Sequence, residues 1–437
     1  MSLDTKRLFE RKAISVWGIG YLGYTTVLRL QSKGFFVTCS TFDKTIEKDI
    51  QKDEYPYEYM KQAWSLNNDI PRIDLAKTAF SNELDSMFES AVHVIAIPAF
   101  VESGKPEMYE KLVHIFAKNI DKLKGALIVF QSAEKAGTVE NHFIKPLKKL
   151  GAKCYFGSAF RSDWSIEEFL LGNETRMIAG HDKESLCAIS EFFEILNIQF
   201  ETLDSIEEAE IYENAKNCLQ YNISAFFTQL SFAYPGININ KVSTKIIENI
   251  DLKAKQNGLN LLNHKNMLHM DHILAGQTGD YLSLIKETQA VNMTTVLLYA
   301  DILKQKKVSS VTVMGLSVEG ARKDIRGSAA VLLAEYLNSI GINVYVNDPY
   351  FTDSEINEIL PFAKVSSMGL KAENTDGYVL MNSTPTYKYF TQADIKSNGL
   401  FEGKIIIDSF GILKHLIFSA NTIYHEVGDG SLKVLLK

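Results

Sequence analysis

The sequence is poor in cysteine: Cys39, Cys154, Cys187 and Cys218 are scattered through 437 residues with no C-x-x-C spacing. That scatter excludes a disulfide framework and a zinc site, so no metal is assigned. From Cys218 to the C-terminus there is no further thiol. The chain also lacks an excess of basic residues. Its formal net charge is -7 and it has no basic tract, which argues against a nucleic-acid partner. Its apolar runs, such as residues 92–101, are too short to span a bilayer. With no signal-peptide core at the N-terminus, the expectation is a cytoplasmic protein without a membrane partner. Short-period repeats and low-complexity linkers are missing as well. What is present, 46% hydrophobic and 23% charged residues, is the composition of a globular protein. The length predicts two or three domains.

The strongest local pattern lies near the N-terminus. Residues 13–17 form an apolar run that ends in Gly18, Gly20 and Gly23, spaced G-x-G-x-x-G, after which Thr25, Val27, Leu28 and Leu30 recur on one helical face. The order predicted is strand, tight turn, helix. That order suits a dinucleotide: Gly18 permits the turn, Gly20 lets backbone approach a pyrophosphate, and Gly23 lets helix and strand pack closely. Tyr21 and Leu22, at the helix start, belong to the end that offers free N–H groups to phosphates.

Residues 35–40 read as the next strand, whose end selects the cofactor through an acidic residue that bonds the adenosine ribose. Thr41 holds the expected position, with Asp43 and Lys44 close behind. Asp43 favours NAD, the preferred reading; Ser40, Thr41 and Lys44 together favour the 2′-phosphate of NADP. Strands over residues 91–98, stopping at Pro98, and over residues 126–130, before Ser132, bring two more loops to the cofactor.

Strands over residues 152–157 and 176–180 complete a first parallel sheet. From Ser205 to about Ala300 the pattern turns to nearly continuous helix, with Ile211, Ala215, Leu219, Ile223 and Phe226 at helical spacing. Such a helix must bury two faces, one on its own domains and one on a second subunit, so a homodimer is expected. A second α/β unit then follows, with strands over residues 311–316, 342–349, 377–381 and 404–408. The expected fold class is α/β: two Rossmann-like doubly wound parallel-sheet domains, residues 1–203 and 301–437, joined by a central helical dimerisation domain over residues 204–300.

This arrangement resembles the UDP-glucose/GDP-mannose dehydrogenase family over nearly the whole chain. The matching pieces are Gly18-Ile19-Gly20-Tyr21-Leu22-Gly23, Glu213-Asn214-Ala215-Lys216, Gly315-Leu316 with residues 323–328, Asn347-Asp348-Pro349 and Ile407-Asp408. The resemblance implies NAD-dependent oxidation of the primary alcohol of a nucleotide sugar to an acid, in polysaccharide biosynthesis. Two hydrides leave in turn, and an active-site cysteine holds the aldehyde between them. It also implies a sugar nucleotide bound by the second α/β unit.

The departures are as informative. Gly276 stands where the family has its cysteine, Ala159 where it has a glutamate, and Ser132-Ala133 at its threonine-bearing turn. Glu319 replaces a lysine and Phe410 an arginine. Without the thiol the second oxidation loses its covalent intermediate. Two readings therefore stand: an oxidoreductase with altered chemistry, or a catalytically silent relative that binds dinucleotide or sugar nucleotide in a regulatory or assembly role.

Of the chemistry that survives, Lys216 binds a developing alkoxide or moves a proton, with Gln220 four residues on along the same helix face. Asp280 orders a water or acts as a base beside it. Arg322 and Arg326 crowd the loop after Gly315 together with Lys323, and a planar guanidinium matches the geometry of a diphosphate. Arg161 is expected to shape the sugar pocket with Asp163 and Trp164. His264, His269, Asp271 and His272 precede the substituted loop and offer a replacement base near neutral pH, against the alternative of ordinary surface or core histidines.

Overall fold

The computed structural model describes residues 13–41, 44–52, 72–80, 84–97, 106–132, 134–161, 175–254, 283–317, 325, 327–366 and 375–437. The described chain divides into two compact units, one running to Lys216 and the other starting at Asn217.

The first unit is built on β1 (Ala13–Trp17), β2 (Phe36–Ser40), β3 (Thr78–Phe80), β4 (Val92–Ile95), β5 (Leu127–Phe130), β6 (Tyr155–Ser158), β7 (Arg176–Gly180) and β8 (Phe200–Leu203). Their order across the sheet is β3-β2-β1-β4-β5-β6-β7-β8. All neighbours are parallel except β6 and β7. β1, β4 and β5 read as unbroken apolar runs because both faces are covered: Ile14, Val16, Val92, Val94, Leu127 and Val129 are all buried. The helices are α1 (Tyr21–Ser32), α2 (Lys44–Gln51), α3 (Glu107–Lys118), α4 (Lys145–Lys149) and α5 (Lys183–Leu196). On α3, Tyr109, Leu112 and Phe116 share the buried face, and Phe116 lies 4.9 Å from the ring of Trp17. Strand order reverses between β1 and β4, so the loops after these two strands flank the point where such sheets open a ligand crevice.

The helical stretch consists of α6 (Ile206–Ala233), α7 (Ile239–Ala254) and α8 (Ser283–Gln305). Near-continuity fails after Ala233, because Pro235 has no N–H to carry a helix onward and Gly236 gains nothing from staying helical. The boundary between the units falls inside α6, so its first turns pack with the first unit and the rest, with α7 and α8, with the second.

The second unit repeats the scheme with β9 (Ser310–Met314), β10 (Asn343–Asn347), β11 (Lys364–Val365), β12 (Gly377–Leu380), β13 (Ile405–Asp408) and β14 (Ile423–Glu426). The order β11-β10-β9-β12-β13-β14 is parallel throughout. α9 (Ala329–Ser339) packs Leu333 and Leu337 into its core.

A buried polar relay ties α8 to the C-terminal end of this sheet. Ser431 donates to Asp429 at 2.5 Å, so its oxygen accepts from Nδ1–H of His425 at 2.8 Å, and His425 Nε2 accepts from the Tyr299 hydroxyl at 2.8 Å. The relay needs a neutral imidazole, and burial pushes the His425 pKa down to about 4 against the pull of Asp429. Between pH 6.5 and 4 the unfolded chain therefore binds a proton that the folded unit refuses. Stability of the second unit is expected to fall by on the order of 3 kcal/mol as pH drops through that window, and the loss is complete below it. Urea unfolding of wild type and His425→Gln at pH 7 and pH 4.5 checks this. An equal pH dependence in both proteins would assign the acid loss to other groups.

Candidate functional site

The glycine turn after β1 is held between two strands. Gly18 N donates to Ser40 O at 2.8 Å, and Ala96 N to Trp17 O at 2.9 Å. Gly18 has φ +89°, a left-handed conformation that L side chains rarely adopt, and a Cβ there would collide with Ile97. A Cβ on Gly23 would run into the Gly18 carbonyl, with the carbonyl carbon 2.9 Å away, so close packing of helix on strand depends on this glycine. Gly20 is different: a Cβ built on it meets nothing within 4 Å. It is also the N-cap of α1 and supplies no side-chain cap, and no acidic residue stands in the first turn. The α1 N-terminus, which Tyr21 and Leu22 open, therefore has backbone N–H groups without a capping side chain beside open space at Gly20. This is the arrangement a pyrophosphate fits.

Of the other positions expected to meet a cofactor, three lie at the ends of described elements. Thr41 follows β2 and is half-buried, and Ser132 follows β5 and is buried. Lys44 opens α2. Asp43 and Pro98 lie outside the described residues.

Arg161 has a task of its own. It is buried and donates through Nη1 to Leu22 O at 3.0 Å, Thr25 Oγ1 at 2.8 Å and Thr26 Oγ1 at 3.0 Å. Thr26 donates in turn to Gln131 Oε1 at 2.7 Å. These bonds aim the guanidinium at the first turn of α1, so its contacts hold the start of that helix. Asp163 and Trp164 lie outside the described residues. Ala159 follows β6 and is buried.

On α6 the first turns present Glu210, Glu213 and Asn214 to the interior of the unit. Glu210 accepts from Gly137 N at 2.5 Å and Val139 N at 3.0 Å, at the start of the helical segment after the β5 loop. Burial raises its pKa to about 7 against the pull of those two amides. Asn214 donates to Glu134 O at 2.7 Å in the same loop. Lys216 lies on a more open side: its side chain is 28% exposed, against 7% for Glu213, whose Oε1 is 3.4 Å from its Nζ. Its ammonium is 5.8 Å from the Tyr212 ring centroid. The sequence points to Lys216, carries Glu213 only as part of the motif Glu213-Asn214-Ala215-Lys216, and gives Glu210 no role. The signal was there, since residues 206, 209, 210, 213 and 214 share a helix face that begins with Ile206 and Ala209. Gln220 is placed on α6, with only its backbone described. Asp280, Gly276 and the cluster from His264 to His272 lie outside the described residues, as do Arg322, Lys323, Arg326 and Glu319.

The second unit has its own glycine turn, closed in a different way. Gly315 also has φ +89°, and its N–H donates to Asn347 O at 2.8 Å. Here the Asn382 amide fills the space a Cβ would take. Ser328 caps α9, accepting from Ala330 N at 3.1 Å and Val331 N at 3.3 Å while donating to Leu316 O. The helix end that is uncapped in the first unit is thus occupied in the second. Asp348 accepts from Leu316 N at 2.7 Å, and Asp408 from Phe410 N, Leu413 N and the Tyr424 hydroxyl. Both acids of the sequence motifs pin loops at strand ends.

All four cysteines are free, and only Cys187 is exposed. Burial pushes the thiol of Cys154 up to about 12 and that of Cys39 higher still. Among the described residues there is no cluster of histidine, cysteine and acidic side chains able to hold a metal, and no helix is long and apolar enough to cross a membrane.

Residues 312–415 match the family described as UDP-glucose/GDP-mannose dehydrogenase family, UDP binding domain. Over 98% of its length the chain is 21% identical to a UDP-N-acetyl-D-mannosamine dehydrogenase of Methanococcus aeolicus, covering 98% of that protein. It is 23% identical to the enzyme of the same name from Methanocaldococcus jannaschii, over 96% of this chain and 97% of that one. The fold is that of a solved UDP-glucose dehydrogenase from Pyrobaculum islandicum, with TM-score 0.71, 16% identity, and 94% and 97% of the two chains covered.

Proposed function

Since residues 312–415 belong to the UDP binding domain of the UDP-glucose/GDP-mannose dehydrogenase family, we propose that the chain is an NAD-dependent oxidoreductase acting on the CH–OH group of a UDP-sugar. An N-acetylhexosamine is the first sugar to test, because the relatives from Methanococcus aeolicus and Methanocaldococcus jannaschii carry that name. The observation that carries the reading is the uncapped N-terminus of α1 beside the open space at Gly20. When bound, NAD supplies the hydride acceptor.

The chain's own residues do the rest. First-turn N–H groups of α1 bind the pyrophosphate, and Arg161 fixes that turn from behind. Asp43 selects NAD at the ribose, with Thr41 and Lys44 as the route to NADP. Lys216 binds the developing alkoxide or shuttles the alcohol's proton, with Gln220 on the same helix face; Asp280 orders a water or acts as a base beside it, and Arg322 and Arg326 dock the diphosphate. The protein acts as a homodimer through the apolar row on α6, where Ile211, Leu219 and Phe226 are 51%, 42% and 55% exposed.

With no cysteine after Cys218, one hydride per sugar is the expected stoichiometry. Anaerobic mixing of the protein with NAD or NADP and a panel of UDP-, GDP- and dTDP-sugars tests this, with absorbance reporting the reduced cofactor and mass spectrometry the sugar. Light scattering of the same sample is expected at the dimer mass, and a monomer would remove the α6 assignment. Two hydrides per sugar would overturn the altered stoichiometry. The second reading, a silent relative in a regulatory or assembly role, is favoured by Ala159 and Gly276 at family catalytic positions. Binding of both ligands with no reduction across the panel would select it.

A further inference from the structure

The loop after β5 is fastened to α6 at three points. Glu210 accepts from Gly137 N at 2.5 Å and from Val139 N at 3.0 Å, one amide on each carboxylate oxygen, and Asn214 Nδ2 donates to Glu134 O at 2.7 Å. Two N–H donors converging on one side chain need two acceptors. An ionised carboxylate supplies both, whereas a carboxylic acid or a carboxamide turns a donor of its own toward one of the amides. Glu210 is fully buried, so bulk water does not replace a lost partner.

The elements joined in this way carry residues from both halves of the proposed site. Ser132, buried where the loop leaves β5, is the loop's expected contact with the cofactor. Lys216 lies on the same helix as Glu210, six residues on and so about 9 Å further along its axis. We propose that Glu210 is a positioning residue for hydride transfer: by holding the loop after β5 against the first turns of α6, its carboxylate fixes Ser132 relative to Lys216. This role rests on the dehydrogenase reading, whereas the fastening itself does not.

The fastening depends on the charge of Glu210. Burial raises its pKa to about 7 against the two amides, and Glu207 on α6 and Glu140 in the helical segment after the loop raise it further. Glu140 is itself bonded to His181 Nδ1 at 2.9 Å. From α3, Tyr109 faces the same group as a neutral phenol, its pKa raised by burial and by Glu134 and Glu210. Above about pH 7 both amides are held. Below it a proton on one oxygen costs an amide its acceptor, so the loop loosens and turnover is expected to fall.

Two measurements on the full chain test this. Hydrogen exchange over residues 134–140 of the wild-type protein without ligand is followed by mass spectrometry at pH 6 and pH 8, with the intrinsic pH dependence of exchange divided out. Exchange is expected to be about tenfold slower at pH 8, and Glu210→Gln should exchange at both pH values as wild type does at pH 6. Steady-state kinetics with NAD and the sugar-nucleotide panel supply the second measurement. In Glu210→Gln, kcat at pH 8 should fall about tenfold, less than the hundredfold expected of a 1 Å misplacement. The KM for NAD should stay within about twofold, because α1 still holds the pyrophosphate, and the rise of kcat through pH 7 should flatten. Rescue is expected in neither measurement from Glu210→Asp, which is too short to reach both amides. Equal normalised exchange at the two pH values in wild type overturns the fastening, whether or not the variants fold. An unchanged kcat and pH profile in Glu210→Gln overturns the positioning role. If wild type reduces no NAD with any sugar of the panel, the dehydrogenase reading falls and this role with it, while the exchange result still decides the fastening.

Discussion

Gly23→Ala is expected to abolish dinucleotide binding and to destabilise the first unit, whereas Gly20→Ala is expected to lose binding alone. The two glycines sit three residues apart but face different constraints. A methyl on Gly23 runs into the backbone carbonyl of Gly18, which has no rotamer with which to yield. That carbonyl belongs to the turn whose N–H bonds Ser40, so relief must come from moving α1 away from β1 or from breaking the turn. Overpacking of this kind costs about 2–3 kcal/mol. A displacement of about 1 Å at the phosphate-binding turn is enough for a further hundredfold loss of function.

Gly20 has φ -73° and ψ -166°, which any residue adopts, and its Cβ direction is open. Alanine there should leave the melting temperature where it was. The methyl then occupies the space into which the pyrophosphate must come, and NAD affinity falls. Calorimetric titration with NAD and circular-dichroism melts on both variants separate these outcomes. If Gly20→Ala binds NAD as tightly as wild type, the cofactor does not approach the backbone at this turn, and the observation carrying the proposed function is gone.

The parts of this protein legible from sequence are those where one physical constraint dominates locally. Buried parallel strands leave unbroken apolar runs, so β1, β5, β9 and β12 are readable within a residue or two, and β4 within three. The turns after β1 and β9 need a left-handed residue, so Gly18 and Gly315 mark them.

Where two constraints compete, reading fails. Arg161 is expected near a sugar pocket because it follows the altered glutamate motif with Asp163 and Trp164; its hydrogen bonds to a carbonyl and two hydroxyls of α1, more than a hundred residues away in sequence, are a separate task. No local pattern encodes that. The polar face of α6 misleads for the opposite reason. Ordinary amphipathicity puts Glu210, Glu213 and Asn214 outside and apolar residues inside. Here the carboxylate of Glu210 is drawn inward to cap the two amides at residues 137 and 139, and Ile211, Leu219 and Phe226 are left facing out. The antiparallel β6–β7 pair is equally silent, since strand direction leaves no trace in the residues of so short a strand.

That inversion on α6 frames the second large effect. Lys216→Ala is expected to lower kcat/KM by about a hundred- to ten-thousandfold, the range for loss of a proton-transferring group, with NAD affinity unchanged. Lys216 is suited to such a role by its partly exposed position and by the carboxylate of Glu213 at 3.4 Å, its ion-pair partner one turn back on the helix.

Lys216→Arg then distinguishes the two tasks open to this residue. A guanidinium keeps the charge and the ion pair but does not release a proton in the working pH range. Recovery of activity in that variant means that positive charge near the alkoxide is what matters; continued inactivity means that the proton moves through Lys216. Glu213→Gln keeps the shape of the pair while removing its charge, so kcat should fall without a matching change in KM if Glu213 acts by positioning its neighbour. A Lys216→Ala variant with turnover within twofold of wild type would leave the lysine as the outer half of an ion pair with the buried Glu213, without a part in proton transfer. The search for the proton-transferring group would then move to the inward face of α6, where Glu210 and Glu213 are buried.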